Sequence, residues 1–168
     1  MRPLLLALSA LAFAGCAHTH YNPDAGKVCY RSVCYEVGAL GKDWQPVESE
    51  KGAIGFFNQQ LGAVIESKAT CRADADAAPL QALTRQLLIG YTDRHVRSSE
   101  TLSLDGRAAL HTVVDARLDG VPMVLDLYVL KRNGCIFDLT LAAPPDRYDA
   151  ARPELTRFVG GFHDTRKT

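Results

Sequence analysis

The side chains able to do chemistry fall, by strand register, into one row. If residues 108–118 and 121–131 pair as a hairpin about Asp119-Gly120, His111 lies beside Tyr128; a third strand from Cys135 then adds Asp138, with Asp126 and Thr140 in the next row. Neighbouring cross-strand positions are within hydrogen-bonding reach. An imidazole bonded to a carboxylate and a phenol can bind a polar ligand or move a proton, so His111, Asp126, Tyr128 and Asp138 are the candidate ligand-binding residues. The competing expectation is a water-facing sheet side, which shows the same mixed polarity. No serine nucleophile motif, Gly-rich phosphate loop or helical carboxylate pair accompanies the row, and Gly38-x-x-Gly41 lacks a strand-loop-helix context. The expectation is therefore a non-catalytic protein without a cofactor.

The five cysteines divide unevenly. Cys16 follows an apolar run, whereas Cys29, Cys34, Cys71 and Cys135 lie in the remaining chain. Four cysteines allow three connectivities. The pairing favoured is Cys29 with Cys34, across a tight Arg31-Ser32 turn or small loop, and Cys71 with Cys135, both on apolar strand faces that could meet under a helix. A redox dithiol is disfavoured because no C-x-x-C occurs, and zinc because no paired short spacings occur. His18 and His20 have a ligand-like spacing but no third partner nearby, so no metal is expected.

Positioning the row requires strands. Residues 43–47 and 53–60 read as short strands, and residues 63–71 alternate with period two, as a half-buried strand does. Residues 79–91 place Leu80, Leu83, Leu87, Leu88 and Tyr91 on one helical stripe behind Pro79. A strand over about 96–104 ends at Asp105-Gly106, and Asp119-Gly120 marks the central hairpin. The Arg132-Asn133-Gly134 turn admits a two-residue or a three-residue loop. The three-residue loop sets Val129 against Phe137 and Leu127 against Leu139, keeping one face apolar, and is preferred for that reason. Residues 144–162 carry a second helical stripe, which Pro153 should break or kink after Ala151.

The 168 residues are 47% hydrophobic and 23% charged, with 19 Lys+Arg against 19 Asp+Glu. Such a chain is too apolar for disorder and has no basic footprint for nucleic acid. Residues 1–15 read as a signal peptide too short to span a bilayer. Ala12-Phe13-Ala14-Gly15-Cys16 resembles the bacterial lipoprotein signal, although Phe13 stands where Leu is usual. The resemblance implies acylation of Cys16, attachment to a lipid bilayer and, with Ala17 following, an outer-membrane anchor with the domain in the periplasm. Residues 16–27 are expected to be a tether, 28–164 one domain and 165–168 a disordered tail.

Trp44, GAIGFFN followed by GAVIES, Leu104-Asp105-Gly106-Arg107-Ala108 and Phe158-Val159-Gly160-Gly161-Phe162 carry a second resemblance. Together with the element order, they make the chain similar to the PsbP/Mog1-like family. That implies an α+β fold: an α/β/α sandwich with one mainly antiparallel sheet of about six strands and two main helices. It also implies binding, with an envelope protein partner or a small ligand, rather than catalysis.

Overall fold

Thirteen elements follow one another in the computed structural model, which describes residues 19–166. The strands are β1 (His20–Asn22), β2 (Lys27–Tyr30), β3 (Val33–Glu36), β4 (Gln45–Val47), β5 (Ala53–Asn58), β6 (Ala63–Cys71), β7 (Thr92–Leu104), β8 (Arg107–Leu118), β9 (Val121–Arg132), β10 (Cys135–Ala143) and β11 (His163–Asp164). The helices are α1 (Leu80–Leu87) and α2 (Tyr148–Gly160). Cys16 and His18 lie outside the described residues, as do the signal peptide and residues 167–168.

Seven strands form one antiparallel sheet in the order β4-β5-β6-β10-β9-β8-β7, and four form a second in the order β1-β2-β3-β11. The main sheet therefore has one strand more than the six expected. The second sheet contains His20–Asn22 from the expected tether, paired with Lys27–Cys29. The expected tail is also engaged in part, because Thr165 donates to the Cys34 carbonyl and the Arg166 guanidinium grips Asp164.

Both faces of the main sheet are covered, which explains why its central strands are rich in large apolar side chains at odd and even positions alike. On one face, α2 and the small sheet enclose Phe56, Ile65, Leu130, Phe137, Leu139 and Leu141 with Val28 and Tyr35. On the other, α1 covers Val114, Leu125 and Leu127 with Leu88, and Val129 and Ile136 with Leu83. Helix α2 passes through Pro153 without ending there, contrary to the break expected. Its buried stripe of Tyr148, Ala151, Leu155 and Phe158 supplies the reason: burying each large side chain stabilises by about 1.5–3 kcal/mol, against about 3 kcal/mol for one interior proline.

The Gly38 and Gly41 pair has a packing role. The Gly38 amide donates to the Phe158 carbonyl at 2.8 Å, and a Cβ on Gly38 would meet the Arg157 carbonyl oxygen at 2.0 Å. Only glycine lets these backbones approach so closely. Gly41 donates its amide to Glu154 Oε2 at 2.9 Å.

Candidate functional site

The central hairpin has the expected register, with Leu118 opposite Val121 and His111 opposite Tyr128. The next hairpin does not. Arg132 pairs with Cys135, so the loop is the two-residue Asn133-Gly134, with φ of 49° and 70° at its two positions. Two consecutive positive φ values are the mark of a type I′ turn, whose twist matches the strands it joins. Asp138 consequently opposes Val129, and Tyr128 opposes Leu139. The single-residue slip moves Asp138 to the opposite face of the sheet from His111, and Cys135 and Phe137 together onto the face of His111. The preference for a three-residue loop assumed one apolar face, but helices and the small sheet bury both.

The predicted row is thus two sites. On the α2 face, His111 Nε2 lies 2.7 Å from Asp126 Oδ1 and its Nδ1 3.3 Å from Glu100 Oε1. Tyr148 donates its hydroxyl to Asp126 Oδ2 at 2.7 Å, and the His111 and Tyr128 rings stack with centroids 4.1 Å apart. Asp126 is only 1% exposed. With a carboxylate at each ring nitrogen, the imidazolium is the form that donates at both ends. Burial opposes that charge, but the hydrogen bonds and charges of Asp126 and Glu100 outweigh it and raise the His111 pKa. Burial and the Asp126 bond push the Tyr148 hydroxyl well up, and burial with the nearby Asp126 charge takes Tyr128 to about 12. Such a network holds a proton firmly between two carboxylates and braces α2 against the sheet.

Glu100 and Tyr148 were not among the predicted residues. Glu100 was accessible from the sequence, because a two-residue Asp105-Gly106 loop pairs Leu104 with Arg107 and so Glu100 with His111. Tyr148 lay on the buried helical stripe, where a hydroxyl needs a partner.

On the α1 face, Asp138 pairs in register with Lys68, and Thr140 with Glu66. They line an open cleft of about 320 Å³ beside α1, with Leu87, Tyr91, Leu125 and Leu127 as its apolar wall. Lys68 turns its ammonium to Glu50. Desolvation by burial pushes Asp138 up to about 7, more than the Lys68 charge lowers it. Glu66 is raised for the same first reason, with the Glu50 charge adding to it. The cleft thus offers two carboxyl groups with raised pKa values over an apolar wall, a combination suited to hydrogen bonding with a small ligand. No group of three or more His, Cys, Asp or Glu among the described residues is arranged to hold a metal ion.

The Asp138 shift has a signed consequence for stability. An acid whose folded pKa is raised contributes stability that is full below its unfolded value, near 3.8, and is lost as pH rises through about 7. Asp138→Asn, which cannot ionise, is expected to exceed the wild type in stability by about 1 kcal/mol at pH 8 and to lose that advantage at pH 5. Urea denaturation at the two pH values measures it; equal stabilities at pH 8 would refute the shift.

The disulfides join Cys29 to Cys34 and Cys71 to Cys135. Each links directly opposed cross-strand positions, the first across the turn at Arg31 and the second between β6 and β10. The second bridge lies at the strand ends beside Arg166, whose Nη1 is 2.9 Å from Cys135 Sγ, rather than under a helix.

No protein-family model matches the chain, and no curated protein does. Solved structures do. The solution structure of cyanobacterial PsbP from Synechocystis superposes with a TM-score of 0.55 at 13% identity, over 94% of this chain and 98% of that one. LpqN of Mycobacterium tuberculosis, described as involved in cell envelope biogenesis, gives a TM-score of 0.59 at 14% identity over 81% and 87% of the two chains. A Bacteroides thetaiotaomicron structure gives 0.58 at 13% identity over 90% of this chain, which spans only 49% of that protein's length. At such identities the likeness is one of architecture, and with two helices on a largely antiparallel sheet it shows that the chain has the PsbP-like fold.

Proposed function

We propose that the chain is a periplasmic lipoprotein, anchored in the outer membrane through acylated Cys16, whose domain is a non-catalytic module for interaction or assembly in the envelope. The signal-like residues 12–16 support the anchor, and two disulfides suit an oxidising compartment. The description of LpqN as an envelope-biogenesis protein is consistent with the same setting.

The observation that carries the interaction reading is a set of exposed apolar side chains, one just after α1 and three on the strands β7 to β9. Ile89 is 77% exposed, Val121 57%, Val96 53% and Leu118 42%. Leu118 and Val121 are cross-strand partners at the β8–β9 turn, and Val96 opposes Val114 on the same face. Large apolar side chains left in water on one sheet face are characteristic of a protein-binding surface.

A photo-reactive amino acid at position 121 or 89 is expected to trap the same envelope protein in intact cells, while one at Glu48 does not. Val121→Asp should abolish the product from position 89. Absence of any product shared by positions 121 and 89 refutes this reading.

A small-ligand carrier is the alternative, and the half-buried Asp138 in the α1 cleft favours it. The polar group first expected to bind ligand, His111 with Tyr128 and Asp138, is divided between the two sheet faces, so only Asp138 belongs to that cleft. Failure of the crosslinks together with a ligand-dependent rise in melting temperature that Asp138→Asn removes would favour the carrier.

A further inference from the structure

Thr19, the first described residue, marks where the chain from Cys16 reaches the domain. Its Oγ1 accepts a hydrogen bond from the Gly52 amide at 3.0 Å, and a Cβ on Gly52 would lie 3.3 Å from the Tyr30 ring. Thr19, Gly52 and Tyr30 therefore share one corner. Lys51 is exposed beside it, and so is Arg31, whose guanidinium carbon sits 5.4 Å from the centre of the Tyr30 ring. Between them opens a depression of about 490 Å³, lined by Tyr30, Arg31, Ser32, Lys51, Lys68 and Thr70 among others, with no carboxylate in its walls. Lys68 is engaged by Glu50, which leaves Arg31 and Lys51 as its free cations among the described residues.

Cys16 and Thr19 are three residues apart, a span of at most about 10 Å even when fully extended. An acylated Cys16 seated in a bilayer therefore holds this corner close to the headgroups. The apolar residues proposed to meet a protein partner lie at the other end of the sheet. Ala69 on β6 bonds Gly52 near the Cys71 end, whereas the β8–β9 turn lies beyond the Ala63 end. The nine residues of β6 between the two ends span roughly 30 Å.

We propose that the Tyr30, Arg31 and Lys51 corner docks on the anionic surface of the bilayer that holds Cys16, so that the domain stands on the membrane with its β8–β9 tip projecting away. Arg31 and Lys51 face headgroup phosphates, and the amphipathic Tyr30 ring lies at the interface, where aromatic rings are enriched. Each basic side chain near such a surface strengthens docking roughly fivefold. The inference rests on the lipoprotein reading of Cys16.

The test uses the full protein purified from membranes in detergent and reconstituted into phosphatidylcholine vesicles, with or without phosphatidylglycerol. A membrane-impermeant amine-acylating reagent is added, and labelling of Lys51 is compared with that of Lys42, which precedes β4 towards the opposite end of the sheet. Lys51 is expected to react about fivefold more slowly in phosphatidylglycerol vesicles than in detergent, with Lys42 unchanged. Arg31→Glu should abolish that protection. The mass of the N-terminal peptide, read in the same digest, reports acylation of Cys16. A peptide without acyl chains overturns the anchor and the docking with it. Acylated Cys16 with Lys51 and Lys42 labelled alike in phosphatidylglycerol vesicles overturns the docking alone.

Discussion

Replacing Cys71 and Cys135 together by alanine is expected to cost about 4 kcal/mol of stability, because the bridge spans 64 residues of sequence and chain-entropy stabilisation grows with the loop closed. For a domain of this size that corresponds to a fall in melting temperature of roughly 8–16 °C. The same pair of substitutions at Cys29 and Cys34, separated by 5 residues, should cost only about 2 kcal/mol. The contrast is the informative part, since both pairs join directly opposed strand positions and differ chiefly in what they enclose. Cys71–Cys135 ties β6 to β10, two inner strands of the main sheet that are far apart in sequence, whereas Cys29–Cys34 closes a hairpin that its own turn already defines. Calorimetry of the two double variants tests this; equal losses would show that local geometry, not loop closure, sets the stabilisation.

Asp126→Ala is expected to cost about 3 kcal/mol, through leaving the buried Tyr148 hydroxyl without its acceptor and His111 with one carboxylate in place of two. Asp126→Asn keeps an acceptor oxygen and should cost about 1 kcal/mol. A second readout separates this network from simple packing. Because the His111 pKa is raised in the folded state, its contribution is full below its unfolded value near 6.5 and is lost as pH rises through the folded value. Over that window the wild type should lose stability, and Asp126→Ala should lose less because the stronger of the two carboxylate contacts has gone. Urea denaturation from pH 6 to pH 9 provides both numbers. A loss under 1 kcal/mol with an unchanged pH slope would mean that Asp126 does not organise the network.

Much of this site is legible in the sequence, and the split of its row between two faces comes from one turn. Asp119-Gly120 placed His111 beside Tyr128, and Asp105-Gly106 would have placed Glu100 beside His111 had its register been followed. At Asn133-Gly134 the local turn chemistry and the apolar pattern of the strands point to different registers. Asn-Gly favours the two-residue type I′ loop, whereas a single dry face on β9 and β10 would require three residues. That pattern, Val129 and Leu127 on one side with Leu130, Phe137 and Leu139 on the other, belongs to strands buried on both sides. Pro153 shows the same imbalance, since a local rule against helix yielded to the burial of a whole stripe.

What the sequence by itself determined is local: the main-sheet strands and the two helices, where Asp-Gly turns set register, and which residue types carry charge or sulfur. These follow from backbone preference and periodicity, which act over a few residues. The tertiary structure alone decided that Asp138 and His111 lie on opposite faces, that Tyr148 completes the Asp126 network, and that Thr19 meets Gly52 beside Tyr30. Each of these depends on which layer covers which face. Burial is a property of the assembled layers, and no window of sequence contains both sides of a sheet at once.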